Sequence, residues 1–101
     1  GEDGSTASIF PGQMDDAINA PKSRRAVGVS PDPAPPSAPY DRVTLTRAAL
    51  LSTHTMIVTL AGQPKRDVLE KAIKDGPLSS VPIGRVLAEV DLPLDVYWSA
   101  T

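Results

Sequence analysis

Met56-Ile57-Val58-Thr59-Leu60-Ala61-Gly62-Gln63-Pro64-Lys65 is an apolar, β-branched run closed by Ala-Gly and followed at once by a proline. A run of this kind reads as a strand covered on both faces in a parallel sheet. Pro64 suits the first turn of a helix, where a missing N–H costs nothing. Val68, Leu69, Ala72 and Ile73 then fall on one helical face, and Gly76 marks the end. On the wet side Asp67 with Lys71 and Glu70 with Lys74 stand four residues apart and are expected as ion pairs.

The same grammar extends outward. Arg42-Val43-Thr44-Leu45-Thr46 alternates and is β-branched, so it predicts a strand, with Thr46 capping a helix through Leu51. Val27-Gly28-Val29 predicts a further short strand. Residues 83–87 predict a short turn. Asp95-Val96-Tyr97-Trp98 predicts a last strand whose two aromatics supply core area. Strand alternating with helix means an α/β architecture with an at least partly parallel sheet. Residues 31–39, mostly Pro, Ala and Ser, predict an extended connector with no core of its own.

Composition narrows the function. With 41 % hydrophobic and 22 % charged residues the chain is globular in character, and 101 residues allow one small domain at most. The net charge of −2 and scattered basic residues suggest no nucleic-acid partner. The absence of cysteine excludes disulfides and thiolate metal sites, and a single histidine argues against zinc. No apolar run reaches membrane-spanning length and no signal-peptide pattern opens the chain, which points to a cytoplasmic protein.

Chemistry concentrates in two places. Gly1-Glu2-Asp3-Gly4-Ser5-Thr6-Ala7-Ser8-Ile9-Phe10-Pro11-Gly12 is a glycine-punctuated loop with no strand before it, so the chain is expected to begin inside an α/β domain. Residues 6–10 are expected to form a helical turn whose first amides are unpaired and able to bind an anion or a developing oxyanion. The second place is Lys65, at the carboxyl edge of the apolar strand, where phosphates are often met. Arg42 is a weaker candidate for the same anion, with a structural ion pair as its alternative.

The opening loop resembles the GxDGHTASLFPG signature of 6-phosphogluconolactonases. The resemblance continues through Arg42-Val43-Thr44-Leu45-Thr46, through Met56 to Gly62 with Lys65, and through Pro82-Ile83-Gly84-Arg85-Val86-Leu87 to Asp95-Val96-Tyr97-Trp98. It implies the C-terminal portion of a three-layer α/β/α domain with a largely parallel sheet, incomplete as a domain, in the glucosamine-6-phosphate isomerase/6-phosphogluconolactonase superfamily. It also implies hydrolysis of 6-phosphogluconolactone in the pentose phosphate pathway, a sugar-phosphate lactone substrate, and no metal or organic cofactor. The missing N-terminal half, or another copy of the chain, is the expected protein partner.

Carried over residue by residue, the resemblance implies that Asp3 orders the loop, that Gly4 and Thr6 approach the substrate, and that Lys65 and more weakly Arg42 contact its phosphate. The family's general-base histidine is replaced by Ser5. A serine hydroxyl does not accept protons near neutral pH without a base of its own. Either the site is an impaired hydrolase, or the protein is a non-catalytic relative that binds a sugar phosphate, or the chain only completes a sheet. His54 lies between the second helix and the apolar strand, without the carboxylate partner that a catalytic histidine uses.

Overall fold

The computed structural model describes residues 1–36 and 39–101. After the opening loop come α1 (Asp15–Asn19), β1 (Ala26–Val29), β2 (Arg42–Leu45), α2 (Arg47–Leu50), β3 (Met56–Ala61), α3 (Gln63–Asp75), α4 (Pro82–Leu87) and β4 (Leu94–Ser99). Residues 37 and 38 of the proline-rich stretch lie outside the described residues, and residues 31–36 and 39 carry neither helix nor strand.

The strands form two pairs. β1 and β2 run antiparallel with Val27 opposite Thr44. β3 and β4 run parallel with Val58 opposite Val96. The segment between β3 and β4 carries α3 and α4, as a parallel pair requires a long crossover. Thr46 caps α2, accepting from the Ala49 amide at 3.2 Å. Gly62, at φ 92°, opens α3, and Gly76 closes it.

The core gathers Ile9 from the opening loop, Leu69 from α3, and Val86 and Leu87 from α4, with Val58 and Leu60 of β3 packed on them. Ile9 is 1 % exposed. Burying such a side chain stabilises the fold by about 1.5–3 kcal/mol, so the loop is held as part of the core.

Three expectations change. The apolar strand is covered on one face only: burial alternates along β3, and Ile57 is 59 % exposed. Its neighbours on that face include Tyr97, opposite Thr59 and 60 % exposed, so Tyr97 supplies no core area; Trp98, opposite Leu60 on the other face, is still 38 % exposed and stands outside the core cluster. Leu69 of α3 and Val86 and Leu87 of α4 pack on the other side, against Val58 and Leu60. The pairing on α3 is also shifted by one helical turn. Gln63 occupies Asp67 at 2.7 Å and Arg66 occupies Glu70 at 3.0 Å, leaving Lys71 to pair with Asp75 at 2.7 Å. Among the described residues no helix is long and apolar enough to cross a membrane.

Candidate active site

The opening loop is not helical at residues 6–10. Ala7 and Ser8 both have positive φ, 49° and 60°, and Thr6 and Ile9 exchange backbone hydrogen bonds of 3.2 and 2.7 Å across them. This is the backbone of a tight mirror-image turn. Neither residue favours that conformation by itself. β2 imposes it: the buried Thr44 hydroxyl donates to the Ala7 carbonyl, and the Arg42 guanidinium reaches the Ser8 hydroxyl at 3.5 Å and lies 5.1 Å from the centre of the Phe10 ring.

Several amides of the opening loop, those of Thr6 and Ile9 in the expected helical turn among them, already have partners. The Gly4 amide donates to the Gly1 carbonyl at 3.0 Å, the Ser5 amide to Asp3 Oδ1 at 3.0 Å, and the Thr6 amide to Ile9. These three donors are spent inside the loop. Asp3 therefore orders the backbone around Ser5. Burial raises the Asp3 carboxyl, but hydrogen bonds from the Ser5 hydroxyl and amide, the positive charge of the Gly1 amino group and a hydrogen bond from its own amide outweigh this and hold it below its ordinary value.

Ser5 and Lys65, far apart in sequence, line one cleft. It lies at the carboxyl end of β3, between the loop residues Gly4, Ser5 and Thr6 and the first turn of α3 with Lys65, and holds about 140 Å³. Small-molecule sites usually begin near 300 Å³. The cleft formed by these residues alone is smaller than that. Lys65 is exposed and makes no hydrogen bond or ion pair among the described residues, so its ammonium is available to an anion. A larger recess of about 520 Å³ beside α1 and β1 is lined by Asp15, Asp16 and Arg24 and contains none of the candidates from the sequence.

Arg42 does not line the cleft with Lys65; its described contacts go to the opening loop and to the Tyr40 carbonyl at 3.3 Å. His54 is exposed at the bend before β3. At about 3.3 Å per strand residue it stands roughly 20 Å from the end where Lys65 lies. Three contributors were invisible in the sequence. Thr44 clamps the turn, Val81 packs against Gly4, and Trp98 donates from Nε1 to the Gly62 carbonyl at 2.9 Å. Each depends on a pairing that no local pattern signals.

The loop turned back on β2, the parallel β3–β4 pair and a lysine at the strand end make up part of an α/β framework. The family described as glucosamine-6-phosphate isomerases/6-phosphogluconolactonase matches residues 1–98, and the chain belongs to it. The 6-phosphogluconolactonase of Helicobacter pylori J99 is 32 % identical over 99 residues, covering 98 % of this chain and 41 % of that protein. That of Xylella fastidiosa Temecula1 is 35 % identical over 102 residues, with 99 % and 42 % covered. The crystal structure of a 6-phosphogluconolactonase from Shewanella baltica superposes with a TM-score of 0.79 at 32 % identity, over 99 % of this chain and 41 % of that one. The chain thus spans about two fifths of the length of the relatives it matches.

Proposed function

We propose that these 101 residues are the C-terminal portion of a single 6-phosphogluconolactonase-like domain, and that the cleft at the end of β3 receives the phosphate of a sugar-phosphate lactone. One observation carries this reading: Ser5, at the family's histidine position, and Lys65 share the cleft. In the reaction, water attacks the lactone carbonyl, a tetrahedral oxyanion forms and the ring oxygen leaves as a hydroxyl, so one water is consumed and one acid released. Lys65 fixes the phosphate; a group at position 5 takes the proton from water. The exposed Ile57 and Tyr97 face is assigned to the remainder of the same domain rather than to a second copy, and the reaction to the cytoplasm.

The hydrolysis is impaired by serine. Asp3 is tied to Ser5 and held below its ordinary value, which makes it a poor proton acceptor at neutral pH. That same observation favours a second reading, in which the protein binds the sugar phosphate without turning it over.

The test of the site is selectivity. In the full-length protein Lys65→Ala should weaken 6-phosphogluconate binding by about 1.5–3 kcal/mol, the scale of a charged hydrogen bond, and leave gluconate binding unchanged. Equal losses for both ligands would remove Lys65 from the phosphate.

A further inference from the structure

We infer that Trp98 is a positioning residue that fixes the first turn of α3 and so aims Lys65 into the cleft; this rests on the reading of Lys65 as the phosphate contact. α3 begins without a side-chain cap, because its N-cap is Gly62. Its orientation must come from elsewhere, and β4 supplies it. The Trp98 indole N–H donates to the Gly62 carbonyl at 2.9 Å, and the Gly62 amide donates to the Ser99 carbonyl at 2.9 Å. Both polar groups of the flexible glycine are thereby held by adjacent β4 residues.

The same indole also grips the far side of the turn. The Arg66 guanidinium lies 4.5 Å from the centre of the Trp98 ring, while its Nε meets Glu70 at 3.0 Å. Lys65 is thus bracketed in sequence by two residues that Trp98 touches. Two neighbouring cations are given different tasks: Arg66 is stacked and paired, and Lys65 lines the cleft with no partner among the described residues. Burial does not account for the indole, which remains 38 % exposed. A phenylalanine would keep a smaller aromatic face for Arg66, but it has no N–H for Gly62.

The experiment uses full-length protein with Trp98→Phe, Trp98→His and Lys65→Ala, reading affinity for 6-phosphogluconate and for gluconate, with the melting temperature as a control for folding. Trp98→Phe should lower the ratio of the two affinities by about three- to tenfold, the loss of one hydrogen bond, with gluconate unaffected. Trp98→His, which keeps a ring N–H, should recover part of the ratio. Added to Lys65→Ala, Trp98→Phe should change the ratio no further. If Lys65→Ala lowers the ratio but neither Trp98 variant does, or if both Trp98 variants weaken the two ligands alike, Trp98 is structural only and the inference falls while the Lys65 reading stands. If Lys65→Ala itself leaves the ratio unchanged, that reading falls and takes the inference with it.

Discussion

The Ile83 amide donates to the Gly4 carbonyl at 2.9 Å, so the first turn of α4 is stapled to the loop that carries Ser5. Two remote segments meet there with no room to spare. Gly4 has φ +81°, and a Cβ on it would lie 2.5 Å from Val81 Cβ and 2.8 Å from its Cγ2. Gly4→Ala is therefore opposed by both backbone and packing, and should destabilise the full-length protein by about 1–3 kcal/mol. Urea unfolding midpoints at constant slope measure this; an unchanged midpoint would mean that the staple yields freely.

Thr46 offers a second stability test. It is fully buried, donates to the Arg24 carbonyl at 2.7 Å and accepts from the Ala49 amide at 3.2 Å. Thr46→Ala removes the cap of α2 and strands both partners, which should cost about 2 kcal/mol. Thr46→Ser keeps the hydroxyl and should cost less than half as much in the same denaturation experiment. Equal losses would assign the effect to the methyl group.

Asp3 makes a pH prediction whose sign follows from its lowered value. A carboxyl with a depressed folded pKa contributes stability that is fully present above its unfolded value of about 3.9 and is lost as pH falls through the folded value. Asp3→Asn should thus be less stable than the parent at pH 6, with the gap closing as pH falls below about 4. The gap should be small, since Asp3 is exposed and its interactions are screened. A gap that stays constant down to the acid end would show that the charge of Asp3 contributes nothing.

The strands and α3 are legible in the residues because each signal is local. Met56–Ala61 is a largely apolar run, Gly62 and Pro64 mark the start of the helix, and Thr46 is a recognisable cap. α1 carries no comparable signal: its N-cap is Met14, without a side-chain hydrogen bond, and it has five residues. Residues 6–10 mislead for a different reason, since Ala7 and Ser8 are forced to positive φ by contacts with β2 more than thirty residues away. Trp98 reads as core by its type, yet at the end of β4 it meets Gly62 and Arg66 of the first turn of α3 instead. The cleft itself pairs Ser5 with Lys65, and only the folded chain brings them together.

The central claim is that position 5 controls proton transfer in a site whose phosphate contact is otherwise in place, and the rate of lactone hydrolysis by the full-length protein with serine and with histidine at that position tests it most directly. A general base contributes about 10²–10⁴ in rate, so Ser5→His should accelerate hydrolysis of 6-phosphogluconolactone by that factor. Affinity for 6-phosphogluconate, which the proposal assigns to Lys65, should stay nearly unchanged. The gain should titrate near the ordinary histidine value of about 6.5. If the serine protein already hydrolyses the lactone as fast as the Ser5→His variant, the base lies elsewhere and the account of this loop is wrong.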